Sequence, residues 1–588
     1  MYGWTGKIAR IDLTRQKIEI LTLSPDTYAR YLGGRGLGGL FLQSCAAINW
    51  DHPDMPVCLF TGPLTATAAP TSGRSHMVSM SPLTGLVADS SMGGKLGVQL
   101  KRAGWDGIVI TGKSDLPVGI EIADDRITLV KAKTLWGMTT DAVYQHLAPK
   151  KAGLACIGPA GENRVRFAAV ITDRYHAAGR TGLGLCLGTK KVKYILVSGT
   201  GRTRVKDPEQ LKKARQDILR LTAASPALTG QYGFSRMGTG AMYDLMDNRH
   251  MMPTDNFCAT RFAPAATLNA NAYARLYSPR KHGCRGCHIL CKKISTKHSA
   301  GTSMPEFETM SHFTALLGLQ DIQLVTAANQ RCNTLGMDTI STAVTLSCYR
   351  EITKKDFTAA SLLGMLDDIA LDRGEGKALK HGAAAYARSM GEPEAAMAVK
   401  GLELPAYDPR GAYGMALAFA VSTRGGCHLR AYPISHEILR KPVATDRFSF
   451  SGKARIIKLA EDLNAVVDSL IACKFIFFAA GPEEYARVFS AVTGLDFTAH
   501  DLMATGEKID YNERIINSVK GVYARQDDLP ARFFRQPGTG SSRIRVPPID
   551  RAAFVQAKNA YYAVRGLTTE GLPTKNRAKQ LGLPWKTW

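Results

Sequence analysis

No stretch of the 588 residues approaches the ~20 consecutive apolar residues of a membrane span. The strongest candidate, IACKFIFFAA from Ile471 to Ala480, is too short and carries Lys474. The first residues, MYGWTGKIARIDLTRQKIEIL, do not join a basic start to an apolar core. An export signal is therefore not expected, and the cytoplasm follows as the expected location. Cysteine is sparse, at 12 residues, and in that compartment it is expected as thiols or metal ligands rather than a disulfide framework. Acids are outnumbered, 50 against 75 Lys and Arg, for a formal charge of +25. The basic residues are spread along the chain, with no zinc-finger histidine spacing, homeodomain-like segment or RNP-like strand, which argues against a nucleic-acid partner. An acidic redox protein or a phosphorylated cofactor remains as the counterpart of such a charge.

What the chain does have is glycine, 56 residues of it, concentrated early in turns such as LGGRGLGG and SMGGKLG. Short strand-like runs fill the first 200 positions: KIARIDL, KIEILTL, VCLFTG, HMVSMS, DGIVITGK, VGIEIADDRITLV, FAAVITD and VKYILVSG. From about residue 207 the apolar spacing turns helical, in EQLKKARQDILRLT, QLVTAANQRCNTL, DTISTAVTLSCYREI, AASLLGMLDDIALD and KALKHGAAAYARSM. The length favours several domains. The expected fold is α+β: a β-rich N-terminal domain over 1–205, then two mainly helical domains over 206–400 and 401–588.

The stretch GCRGCHILCKK sets Cys284, Cys287 and Cys291 at C-x₂-C-x₃-C spacing. A haem attachment signal accounts for Cys284, Cys287 and His288 but leaves Cys291 without a task. Structural zinc needs a tetrahedral fourth ligand, His288 or a remote residue. A [4Fe–4S] cluster needs a fourth thiolate, often from a distant element. Cys473, at the end of the helical run LAEDLNAVVDSL, stands out weakly among the nine other cysteines, and spacing alone does not select it.

Four glycine-bearing stretches present backbone N–H groups that could face phosphate: 33–36, 71–75, 91–97 and 177–184. None is a Walker A sequence or a dinucleotide fingerprint. Each read singly is a turn, although Arg74 and Arg180 beside two of them suit phosphate oxygens. Glu306 and Glu308 in PEFET precede an apolar helix, and His428 sits in the glycine-rich turn RGGCHLR; these are candidates for proton transfer.

Taken in order, GPLTATAAPTSGRS, SPLTG, AGWDGIVITGK, IGPAGEN, HAAGRTGLG, GCRGCHILC, LGMDTIS, LELPAYDPRGA, RGGCHLR and DSLIACKF match a family pattern along most of the chain. The sequence resembles the tungsten-containing aldehyde:ferredoxin oxidoreductases. The resemblance implies two six-stranded sheets forming a base under the cofactor, followed by two helical domains. It implies tungsten, or molybdenum, held by two pterin dithiolenes, with Mg²⁺ bridging the pterin phosphates and one [4Fe–4S] cluster beside them. By motif, Cys284, Cys287, Cys291 and Cys473 are the implied cluster ligands, and Arg74 the arginine between cluster and pterin. Ser91, Met92, Gly93 and Gly94, with His176, Ala177, Ala178, Gly179 and Arg180, match phosphate and magnesium contacts. Two pterin-holding loops follow the pattern D-x-x-G-x-[D/C]. The first runs Asn333, Gly336, Met337, Asp338, with an amide in place of the leading acid. The second runs Asp468 to Ala472 and Cys473, with Ile471 in place of glycine, and Arg430 joins the cofactor contacts.

Glu308 and His428 match the active-site glutamate and histidine, with His428 polarising a carbonyl and Glu308 accepting a proton. The implied activity is oxidation of an aldehyde to the acid, with electrons passed to ferredoxin or a ferredoxin-like subunit. The same scaffold run in reverse as a low-potential acid, acyl-thioester or aromatic-ring reductase is the alternative, and a zinc-stabilised basic binding protein the non-enzymatic one. Ala327 stands where one branch has the acid of a dimer-bridging metal site, so no such metal is expected and homo-oligomerisation stays open.

Overall fold

The computed structural model describes residues 1–585, and its N-terminal part is two six-stranded sheets packed face to face. The first contains β1 (Ile8–Asp12), β2 (Lys17–Leu21), β3 (Val57–Phe60), β4 (Ser75–Met80), β5 (Val87–Met92) and β6 (Gly107–Thr111), in the order β2-β1-β6-β3-β4-β5. The second contains β7 (Val118–Ala123), β8 (Arg126–Lys131), β9 (Gly153–Ile157), β10 (Val170–Thr172), β11 (His176–Ala178) and β12 (Val192–Ser198), in the order β11-β10-β9-β12-β7-β8. Each sheet has one parallel pair, β1 with β6 and β7 with β12; the other pairs are antiparallel. Ile11, Leu59 and Met77 meet Ile120, Ile157 and Ile195 between the sheets. The opposite face of the first sheet, with Ile8, Cys58, Phe60 and Val78, enters a second core shared with the helices. Burial on both faces explains why VCLF and GIVIT read as continuous apolar runs rather than alternating ones.

That second core extends from Trp4 to Phe554 and draws on all three expected segments. The helix Gly34–Gln43 lies directly on β4, because a Cβ on Gly38 would overlap Val78. Beyond residue 205 the helices begin as their sequences suggest. Asp207 caps Pro208–Ala224, accepting from the Gln210 amide at 2.9 Å, with proline in the first turn. Asp338 caps Thr339–Thr353 in the same way. Among the described residues no helix is long and apolar enough to cross a membrane.

Three local expectations change. KALKHGAAAYARSM is two short helices, Gly376–Leu379 and Ala383–Ser389, not one. Gly382 between them has φ +88°, and the Ala383 amide donates to Glu403 Oε1 instead of continuing the ladder. GGRG is the N-terminus of a helix rather than a turn, and Arg35 within it is buried against Glu513 and Asp510. The first two residues of SMGGKLG end strand β5, which Asp89, Ser90 and Ser91 conceal by breaking the apolar pattern.

Candidate active site and cysteine cavity

The cysteine loop is pinned at its base by a short hairpin, β13 (Arg280–His282) and β14 (Lys292–Ile294), with His282 opposite Lys292. Gly286 takes φ +73° at the tip, and the Cys287 amide donates to the Cys284 carbonyl at 3.1 Å. From the other side comes Cys473, just past the end of the helix Lys453–Leu470. All four cysteines line one cavity of about 220 Å³, against the ~30 Å³ that a single water occupies. A tetrahedral zinc with bonds of ~2.3 Å would bring its sulfurs to within about 3.8 Å of one another. Among the described residues no three of these sulfurs come within 4.8 Å. Four cysteines on one cavity are the thiolate set that a multi-atom cluster would use. Burial pushes the Cys473 thiol up to about 11, against the pull of Arg74. Thiolates here need further positive charge, which bound iron would supply.

Arg74 joins this cavity to the sheet. Its Nε donates to Ser91 Oγ and its Nη2 to the Ser91 carbonyl, both at 2.9 Å, while Nη1 lies 3.6 Å from Cys284 Sγ. A side chain at Gly93 would overlap Cys284 Sγ and crowd His176 Nδ1, so only glycine lets the end of β5 meet the cysteine loop. Gly93, His176 and Ala177 line the cavity. Met92 turns inward instead, accepting a contact from Thr172 Oγ1 at 3.2 Å, and Ala178 is paired with Val170 in the sheet. Around Gly179 the backbone is open, with nothing within 4 Å of an added Cβ. Arg180 is buried and bridges segments: Nη1 donates to the Gly426 carbonyl at 3.1 Å, Nη2 to that of Glu403 at 2.5 Å, and Nε lies 3.4 Å from Asp338.

The two candidate loops share a backbone form. Each ends a helix with a left-handed residue at its fourth position, Gly336 at φ +79° and Ile471 at φ +63°. A β-branched residue in this region is strained. Asn333 turns back on its own helix, donating to the Asn329 carbonyl at 2.8 Å, and Met337 bridges to Ala168. Asp468 pairs with Lys474 at 2.8 Å, and Ala472 donates its amide to the Val467 carbonyl at 3.0 Å. Asp468, His76 and Asp89 bring their ligand-type atoms within 4.8 Å of one another. Arg430 holds both oxygens of Asp89, at 2.7 and 3.0 Å, and Arg424 approaches at 3.2 Å, so this group is a charge network rather than a cation site. His76 and Asp89 did not stand out in the sequence; Arg424, which opens RGGCHLR, and Lys474, adjacent to Cys473, offered a signal.

Glu308 and His428 meet away from the cysteines. Glu308 lies in the first turn of the helix Phe307–Ser311, which runs into a π-helical turn over His312–Leu316, a form often found at functional sites. Its Oε2 accepts the Ala406 amide at 2.7 Å, and Oε1 lies 3.4 Å from His428 Nε2. Tyr407 stacks near His428, ring centres 5.5 Å apart, and shares a 2.9 Å hydroxyl contact with Tyr432. Burial raises Glu308 to about 8, despite the Ala406 amide and Arg180. Burial, then Arg180 and Arg424, hold His428 well below the usual imidazole range. The resting pair is thus a neutral imidazole beside a largely protonated carboxyl. Glu306 faces the cysteine cavity instead, paired with Lys292 at 2.6 Å.

His176 Nε2, Arg180 Nε, Glu308 Oε1, His428 Nδ1 and Asp468 Oδ1 are buried without a hydrogen-bond partner. Each such group costs about 1–3 kcal/mol. Orphaned polar atoms also occur elsewhere in the chain, as at Tyr28, Glu461 and Asp510, but at these five residues a large polar group could satisfy them.

Comparison with known proteins follows the same outline. A family model described as the N-terminal domain of aldehyde ferredoxin oxidoreductase matches residues 8–199, and one described as its domains 2 and 3 matches residues 213–583. The chain is 34% identical to a tungsten-containing aldehyde ferredoxin oxidoreductase of Thermococcus kodakarensis and 34% identical to one of Pyrococcus furiosus, over 99% of both chains in each case. It is 27% identical to the WOR-like subunit of an aliphatic sulfonate oxidoreductase of Pyrococcus furiosus, covering 99% of this chain and 97% of that one. Among solved structures, the active site complex BamBC of benzoyl coenzyme A reductase with 1,5-dienoyl-CoA matches with a TM-score of 0.84. At 20% identity, over 99% of this chain and 97% of that one, it shares the fold.

Proposed function

This chain belongs to the tungsten-containing aldehyde:ferredoxin oxidoreductase family, and on that premise we propose that it oxidises aldehydes: R-CHO + H₂O gives R-COOH, two electrons and two protons. A [4Fe–4S] cluster held by the cysteines below would pass the electrons singly to ferredoxin or a ferredoxin-like subunit. The observation that carries this reading is the convergence of Cys284, Cys287, Cys291 and distant Cys473, with Arg74, on one cavity. These four are the proposed cluster ligands. The proposed location is the cytoplasm, where such thiols stay reduced.

A tungsten or molybdenum bis-pterin would be held by Asn333–Asp338, Asp468–Ala472 and Arg430. The segments 91–94 and 177–180, through Ser91, Gly93, Ala177 and the open backbone at Gly179, would hold its phosphates and a Mg²⁺. When bound, the metal centre supplies two-electron acceptance at the aldehyde carbon. The chain's own residues bind and move protons. His428, neutral and walled by Tyr407 and Tyr432, orients the carbonyl oxygen. Glu308, once ionised, takes a proton at Oε1, which lies 3.4 Å from His428 Nε2. Ala406 fixes the other carboxylate oxygen, so Oε1 keeps its aim.

Metal analysis of anaerobically purified protein tests the reading, with tungsten or molybdenum near one per chain and about four irons expected. Zinc alone would overturn it. Aldehyde-dependent reduction of viologen is then expected; its absence in fully loaded protein would favour the reductase direction.

A further inference from the structure

Glu306 and Glu308 are two residues apart in sequence, yet their side chains serve different places. The Glu308 carboxyl approaches His428, while that of Glu306 turns back to the cysteine cavity, where Oε1 meets Lys292 Nζ at 2.6 Å. Lys292 directly follows Cys291, and both Lys292 and Glu306 line that cavity. Thr239 fixes the arrangement: its hydroxyl donates to Glu306 Oε2 and accepts from the Phe307 amide at 2.9 Å. One threonine thus holds the Glu306 carboxylate and starts the helix that carries Glu308. Lys293 points elsewhere, its Nζ donating to the carbonyls of Leu290 at 2.9 Å and Cys291 at 3.2 Å. Two cations, Arg74 and Lys292, therefore line the cavity wall, and Glu306 is the acidic side chain among its lining residues.

Resting on the assignment of the four cysteines as cluster ligands, we propose that Glu306 is a positioning residue for electron transfer. It clamps the Lys292 ammonium beside Cys291 and cancels its charge at the cluster. The sign follows from electrostatics: an added electron is stabilised by a nearby cation and opposed by a nearby anion. An unopposed Lys292 would hold the electron on the cluster, whereas the paired lysine leaves the potential low enough to reduce a low-potential acceptor.

The test is an anaerobic redox titration, followed by the cluster's electron paramagnetic resonance signal, of the wild type, Glu306→Gln, Lys292→Gln and the double variant, each with its iron content. Glu306→Gln is expected to raise the midpoint, so that the reduced-to-oxidised ratio at a fixed potential rises at least tenfold, about 59 mV for a one-electron couple. Lys292→Gln is expected to lower it, and the double variant to return within about threefold of the wild-type ratio. Single variants that shift in the same direction, or leave the midpoint unmoved, overturn the proposal. Where Glu306→Gln does not retain iron, Lys292→Gln decides: an unchanged or raised midpoint overturns it. A wild-type protein without iron overturns the cluster assignment instead, so the two failures are distinct.

Discussion

Replacing Glu308 with glutamine keeps the size of the side chain and an oxygen to accept the Ala406 amide, but removes the titrating group. Burial raises Glu308 to about 8. A carboxylate with that value is about one-hundredth ionised at pH 6, one-tenth at pH 7 and one-half at pH 8. If Oε1 is the proton acceptor, kcat/KM should climb about tenfold from pH 6 to 7 and about fivefold from 7 to 8, then level off. Ionising the group at pH 7 costs about 1.4 kcal/mol, which is the tenfold shortfall from the plateau. The sign is that of a base: activity rises as the proton leaves. His428, held neutral, should add no step in this range. Glu308→Gln is expected to lower kcat/KM by about 10²–10⁴ and to abolish the slope. The assay is aldehyde-dependent viologen reduction in anaerobic buffers from pH 6 to 9, at constant ionic strength and with cofactor content matched. A flat wild-type profile, or a variant that keeps the slope, refutes the role given to Glu308.

Cys473→Ser is expected to remove most of the cluster iron and its spin signal while the bound tungsten or molybdenum falls less; a normal cluster in that variant rejects Cys473 as the fourth ligand. Ile471→Gly sets two effects against each other. Relief of left-handed strain returns about 1–2 kcal/mol, while loss of a buried side chain packed over Gly34 and Gly62 costs about 2–5 kcal/mol. Net destabilisation of about 2 kcal/mol is expected, measured as a shorter half-life on heating, and a longer half-life would show that strain dominates. Arg35→Met removes the buried cation that meets Asp510 and Glu513 at 3.0 and 2.6 Å, leaving Glu513 to Arg430 and Thr423 and Asp510 to Arg514 and Arg565. A loss of about 3–5 kcal/mol is expected, read as a marked fall in the temperature of inactivation.

The order of strands and helices was legible because it is written in local periodicity. Period-two and continuous apolar runs marked most of the two sheets, and the helices that Asp207 and Asp338 cap lie where the apolar spacing put them. Where tertiary contacts overrode local pattern, the sequence misled: β5 hides behind Asp89 and two serines, and the Arg424 and Arg430 that satisfy Asp89 are remote. The helix expected through Gly382 breaks because Glu403 supplies a better acceptor. Ile471 is the sharpest case, since nothing local announces that an isoleucine will take the backbone form of a glycine. Its side chain is accommodated over glycines from the far end of the chain.

By itself the sequence determined the chemistry on offer: a tight three-cysteine loop, two acids in PEFET and a histidine in a glycine-rich turn. Only the tertiary structure decided how these are partitioned. Cys473 is brought to the loop by a helix end, and Glu306 and Glu308 part company across one turn. Those outcomes depend on packing and on the pairing of buried charges between distant segments, and such energies carry no signature in the spacing of neighbouring residues.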